Sequence, residues 1–337
     1  MTEDELDERL STPRPATVDA LRRCPGDVVV LGAGGKMGPT LARMLARASA
    51  EAGGRRRVIA VSRFSSPAAE RTLESAGVAM LRCDLLDREA VARLPDVPNV
   101  VFMAGQKFGT ADAPASTWAM NTVVPAICAD RYRSARIVAF STGNVYPLTP
   151  AAAGGARESD AVGPIGEYAI SALGRERVIE FYSARSGTRA AIVRLNYAID
   201  LRYGVLADIA LRVYREQPVP LAMGYVNVIW QGDANRIAIE CLARAETPPF
   251  VVNVTGAETL AVRDIAERFG QRFDKRPRFS GAEGADALLS NTERMRAAFG
   301  APEVSIDTMM DWTAAWIEHG GTMLDKPTHF EERAGRF

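Results

Sequence analysis

The run Val28-Val29-Val30-Leu31 leads straight into Gly32-Ala33-Gly34-Gly35-Lys36-Met37-Gly38, and no other stretch constrains the chain as much. The apolar run reads as a buried strand. Met37, Leu41 and Leu45, spaced four apart, mark an amphipathic helix leaving the turn. Gly32, Gly35 and Gly38 give the spacing G-x-x-G-x-x-G. Glycines allow a tight turn and close approach of backbone to an anion, while a helix N-terminus offers unpaired N–H groups and positive dipole. A glycine-rich loop can also be a plain strand–helix turn. With a strand before it and a helix after it, this one is read as a dinucleotide phosphate cradle in which Gly32, Gly35, Lys36, Met37 and Gly38 meet the cofactor.

The rest of the first half repeats that alternation. Strands are expected at 27–31, 58–61, 78–81, 99–103, 136–140 and 190–195, with helices near 37–50, 67–76, 119–130 and 167–183. Alternating strands and helices imply right-handed crossovers and a doubly wound parallel sheet, an α/β fold. Beyond residue 196 the regularity loosens, with strands expected around 226–230 and 250–254 and helices at 262–271 and 307–318. The division expected is a polar leader (1–25), broken at Pro13 and Pro15, and a dinucleotide-binding Rossmann domain (26–195). A smaller C-terminal substrate lobe (196–325) follows, with 226–254 returning to the sheet, and then a tail (326–337).

Bulk composition narrows the function classes. Lys plus Arg and Asp plus Glu both total 41, so there is no electrostatic case for a nucleic-acid or anionic-membrane partner. No apolar stretch approaches the roughly 20 residues needed to span a bilayer. The start, Met1-Thr2-Glu3-Asp4-Glu5, is acidic where a signal peptide is basic. Four scattered cysteines without metal-type spacing read as reduced thiols, and a cytoplasmic location is expected. The two histidines, His319 and His329, assemble no triad, and no metal site is expected. Lysine occurs only at 36, 107, 275 and 326, and two of these four follow expected strands.

At the end of the second strand, where an acidic residue would accept the ribose hydroxyls, stand Ser62 and Arg63. Hydroxyls and a guanidinium suit a 2′-phosphate, which favours NADP(H), with NAD(H) second. Asp84, followed by Leu85, could accept the adenine amino group or cap the next helix. A second constellation is Ser141-Thr142-Gly143-Asn144-Val145-Tyr146, followed by Gly166-Glu167-Tyr168-Ala169-Ile170-Ser171-Ala172.

Together with the Gly32/Gly35/Gly38 loop, Asp84-Leu85, Ala104-Gly105 and Asn121, these runs make residues 26–320 resemble the extended short-chain dehydrogenase/reductase superfamily. The likeness is to its NAD(P)-dependent sugar epimerase/dehydratase family in particular. The resemblance implies that Thr142 hydrogen-bonds the substrate oxygen and that Tyr168 is the general acid/base. Ala104, Gly105, Asn121, Tyr168 and Asn196 would line the cofactor. It also implies a lysine one helical turn after Tyr168, and there the chain has Ala172. Lys107, after the fourth strand, is the expected substitute cation. Arg175 and Arg177 are expected to point elsewhere. Gln106, Asn144, Tyr197, Arg202 and Trp230 are candidates for the substrate pocket.

These residues imply an NAD(P)-dependent oxidoreductase or epimerase acting on a small carbohydrate-like substrate, in a family whose members commonly form homodimers. Gly143-Asn144 stands where a dehydratase of the family carries Asp-Glu, which argues against dehydration. Epimerisation begins with oxidation, the step a missing lysine weakens, so reduction or dehydrogenation is favoured. The alternative from another class is a catalytically impaired NADP(H)-binding sensor.

Overall fold

The computed structural model describes residues 1–53, 55–107, 109, 112–324 and 328–336. Asp325 at the end of the expected lobe, and Lys326, Pro327 and Phe337 of the expected tail, lie outside them. Seven strands form the central sheet: β1 (Val28–Leu31), β2 (Val58–Ser62), β3 (Ala79–Arg82), β4 (Asn99–Phe102), β5 (Arg136–Thr142), β6 (Ala190–Leu195) and β7 (Phe250–Val254). They lie in the order β7-β6-β5-β4-β1-β2-β3, all parallel. The chain runs outward from β1 to β3 and then returns to β4 on the other side of β1. That reversal leaves a crevice at the C-terminal ends of β1 and β4, where ligands bind in sheets of this kind.

Side chains alternate along β1 and feed two cores. Val28 and Val30 pack with Leu41 and Leu45, while Val29 and Leu31 pack with Ile127 and Ile179. Strands buried on both faces read as unbroken apolar runs, which is why the sheet is visible in the sequence. All four cysteines are buried, unpaired thiols, and no helix is long and apolar enough to cross a membrane among the described residues.

The first 25 residues are no loose leader. Helix α1 (Glu3–Leu10) is capped by Thr2, whose hydroxyl accepts from the Glu5 N–H at 3.2 Å. Helix α2 (Pro15–Arg23) has Pro15 in its first turn, where the missing N–H is harmless. Leu6 and Leu10 are fully buried in the core of the C-terminal lobe, whereas Val18 and Leu21 enter the core under the sheet. Helix α3 (Gly38–Glu51) follows the glycine turn.

Of the segment expected to return to the sheet, only β7 does so. Tyr225–Val226 pairs with Leu260–Ala261, and Ile229–Trp230 pairs with Ala198–Ile199, as small ladders outside it. These pieces are only two residues long, too short to extend a sheet whose strands run four to seven. The lobe is built on helices at Val205–Tyr214, Val262–Phe273 and Ile306–Glu318, joined through Leu206, Ile209, Ile265, Phe269 and Met310. The polar stretch 275–306 crosses back over the molecule. Asp286–Ala287 pairs with Thr149–Pro150, and Leu288 and Leu289 are buried.

Candidate active site

The glycine turn sits at the crevice. Gly32 has φ +86°, and a Cβ there would also strike the Ala104 backbone, so β1 and β4 end with main chain against main chain. A Cβ on Gly38 would collide with the Ala33 carbonyl. Gly35, by contrast, is exposed, as is Lys36, and a Cβ there would meet only the Gly32 carbonyl at 3.4 Å. The turn is thus rigid behind and open in front, as a pyrophosphate cradle must be. Ser62 lies beside it, its hydroxyl against Gly34, and Arg63 follows. The Arg63 and Phe64 carbonyls accept from Arg82, which fixes the loop and leaves the Arg63 side chain exposed. Asp84 is exposed and its carboxylate accepts from the Leu86 N–H at 3.0 Å. Leu85 is buried.

Across the crevice, a cavity of about 150 Å³ brings Lys36, Met37, Lys107, Thr142, Asn144, Tyr168, Asn196 and Tyr197 together. Thr142 ends β5 and Tyr168 opens the long helix α4 (Gly166–Ser186). The Tyr168 phenol and the Thr142 side chain share one wall of the cavity. Thr142 Oγ1 accepts from the Asn144 N–H at 3.2 Å and donates to Asn144 Oδ1 at 3.0 Å. Burial pushes the Tyr168 phenol above its usual range, and the Thr142 contact and the Arg175 charge oppose that rise.

Ala172 is buried and offers no cation, but two others are close. Lys107 Nζ lies 5.9 Å from the centre of the Tyr168 ring. Burial lowers its pKa to about 8, Asp208 opposing. Arg175 is the correction to the sequence expectation: seven residues is nearly two helical turns, so it shares a face with Tyr168. Its guanidinium is buried over Gly105 and donates to the Phe140 carbonyl at 2.7 Å and to Asn121 Oδ1 at 2.6 Å. Arg177 does turn away and pairs with Glu180 on the surface.

Other expectations are also corrected. Asn121, on a π-helical turn (Ala119–Val123), is fully buried. Its Oδ1 accepts from Gln106 and Arg175, and its Nδ2 donates to the Gln106 carbonyl and Ser171. It brackets the site and reaches no cofactor surface. The Gln106 side chain accepts from Ser116 at 3.1 Å and stands outside the cavity wall. Arg202 is held by Asp200 and by Asp7 of α1, at 2.8 and 2.9 Å, and so ties the N-terminal helix to the lobe. Trp230 is buried edge-on against Trp312, a core residue.

Tyr203, Gln231 and Thr328 also stand in the cavity wall. The Tyr203 ring lies under Lys36 Nζ, 2.6 Å from its centre. The resemblance puts the pairs Arg202-Tyr203 and Trp230-Gln231 over the pocket, and in each the wrong member was singled out; Thr328 was missed.

The model of the NAD dependent epimerase/dehydratase family matches residues 28–200. No curated protein matches the chain. Among solved structures, UDP-glucose 4-epimerase of Thermotoga maritima, with UDP-glucose, is similar at TM-score 0.70 and 18% identity, over 87% of this chain and 99% of that one. UDP-glucuronic acid 4-epimerase of Bacillus cereus, with UDP-glucuronic acid and NAD, gives 0.72 and 16% over the same shares. The dTDP-glucose 4,6-dehydratase DesIV of Streptomyces venezuelae, with NAD bound, gives 0.73 and 18% over 87% and 97%.

Proposed function

Because this chain belongs to the NAD-dependent epimerase/dehydratase family, we propose that it transfers a hydride between NADP(H) and a carbohydrate-like carbonyl or alcohol, with Tyr168 exchanging the proton. The observation that carries this is the convergence of Thr142 and Tyr168 in one cavity walled on its far side by Lys36 and Met37 of the glycine turn. The cradle fits a dinucleotide: its rear would be blocked by any Cβ, and its front is open. When bound, the nicotinamide supplies or accepts the hydride. Ser62 and Arg63 favour the 2′-phosphorylated form, by charge-assisted hydrogen bonding to the phosphate.

Direction follows from the phenol. An unperturbed tyrosine near pKa 10 is ionised in about one molecule per thousand at neutral pH, a deficit of roughly 4 kcal/mol for a base. Burial enlarges it. As an acid, Tyr168 is already in the right form: Thr142 hydrogen-bonds the substrate oxygen and Tyr168 donates its proton as hydride reaches the carbon. Reduction is therefore the favoured direction. Oxidation, including the first step of an epimerisation, depends on Lys107 and Arg175 to stabilise the phenolate.

The test is nicotinamide fluorescence across a panel of sugars and sugar acids, with Tyr168→Phe as control. Ala172 favours one second reading, a cofactor sensor. Thermal stabilisation by NADPH with no turnover on any substrate, in wild type and Tyr168→Phe alike, would select it. Exposed Trp118, Val123, Ile170 and Phe181, on neighbouring helices, offer a face for a homodimer. Light scattering with Phe181→Glu tests that face.

A further inference from the structure

Residues 328–336 line the cavity, are hydrogen-bonded to the lobe and pack against the start of the helix that carries Tyr168. On the lobe side, the Thr328 N–H and hydroxyl both donate to Asp208 Oδ2, at 2.8 and 2.5 Å. The Phe330 ring is buried in the lobe core, and its carbonyl accepts from the Tyr197 hydroxyl at 3.5 Å. The Arg333 guanidinium donates to the Asp286 carboxylate and carbonyl and to the Ala222 carbonyl. On the other side, Gly335 lies against Ile165 and Gly166, at the start of the helix that carries Tyr168. Both glycines have positive φ, and a Cβ on either would strike the opposite backbone.

This placement closes the space around the reacting groups. Thr328 forms part of the cavity wall itself. On the far side of Asn144, between Ile165 and Glu332, Arg333 and Gly335, only about 20 Å³ remains, little more than the roughly 10–15 Å³ that one water requires. The main cavity holds about 150 Å³. Pockets for drug-sized ligands run from about 300 to 1,000 Å³. Polar groups of Tyr168, Thr142, Asn144, Lys107 and Thr328 converge there with Gln231, on a wall otherwise lined by apolar side chains such as Leu195 and Val205. Gln231 is fully buried, and its Oε1 finds no donor among the described residues, an acceptor left for a ligand hydroxyl.

We infer that residues 328–336 are a fixed cap restricting the site to an unconjugated, hydroxylated carbonyl or alcohol of monosaccharide size or smaller, and that the cap excludes nucleotide-linked sugars. This inference rests on the oxidoreductase reading above and names its substrate class. The cap is held by a buried ring, a doubly bonded threonine and a backbone-to-backbone glycine contact, so a larger ligand would have to displace all three at once.

The experiment compares free sugars and sugar acids with UDP-glucose, by cofactor turnover and by calorimetry. The proteins are the full chain, a chain ending at 327, and Gly335→Ala. The last moves only the end of the cap and guards against misfolding of the truncated form. The intact chain should turn over a free sugar or sugar acid and show no heat of binding with millimolar UDP-glucose. Gly335→Ala or the shortened chain should gain at least tenfold in UDP-glucose affinity. Binding or turnover of UDP-glucose by the intact chain, or no gain in either altered form, would overturn the cap. Failure of the underlying reading looks different: hydride transfer would survive Tyr168→Phe unchanged.

Discussion

The two walls of the crevice are held in place by different means. On the glycine-turn side, positions follow from main-chain packing, because backbone packs on backbone between Gly32 and Ala104 and between Gly38 and Ala33. On the Tyr168 side, they follow from side chains drawn from distant segments. Asn121 holds Gln106 and Arg175, and Thr328 reaches Asp208. The first wall is most sensitive to an added Cβ, the second to loss of a donor or acceptor.

Substitutions can break this contrast. Tyr168→Phe should lower kcat by about 10²- to 10⁴-fold, the usual range for a general acid, and leave NADPH affinity measured by fluorescence titration within a few-fold. Arg175→Met should follow, since it removes two hydrogen bonds from a charged guanidinium, to Asn121 Oδ1 and the Phe140 carbonyl, at about 1.5–3 kcal/mol each. Denaturant titration should show that loss. Stopped-flow kinetics should show oxidation slowed more than reduction, and Arg175→Lys should restore part of the difference. On the opposite wall, Gly38→Ala should cost about 1–3 kcal/mol through overpacking and weaken NADPH at least tenfold, with no change in the pH profile of residual turnover.

Smaller effects sharpen the picture. Arg63→Ala should weaken NADPH about tenfold, in line with one hydrogen bond to a charged group, with NADH unaffected in the same titration. Lys107, lowered to a pKa of about 8 by burial, carries its charge below that pH and loses it above. Support for a Tyr168 phenolate therefore falls as pH rises through about 8. The kcat/KM profile for oxidation should show an ionisation there, and Lys107→Met should remove it.

What could be foreseen from residue order divides along the same line. The sheet and the glycine turn were legible because each writes a local signal, an unbroken apolar run and a fixed glycine spacing; the Thr142/Tyr168 pair was reached through the family resemblance of its two runs. Arg175 was misjudged although the spacing was in view, since seven residues returns almost to the same face of a helix. Arg202 and Trp230 were misplaced for another reason. A guanidinium or indole beside a site looks the same in sequence whether it meets ligand, Asp7 or Trp312, and only the fold decides between them. The role of Thr328 rests on contacts 120 residues apart and leaves no local trace.

The burial of Leu6 and Leu10 beside Leu206, Phe269 and Met310 sets an order for biosynthesis. Leu10 leaves the ribosome some 300 residues ahead of Met310, which at about 5–20 residues per second is a wait of roughly 15 to 60 seconds. Until Met310 emerges, Leu6 and Leu10 lack part of the apolar core that buries them, although Glu8 can already meet Arg43 and Arg47.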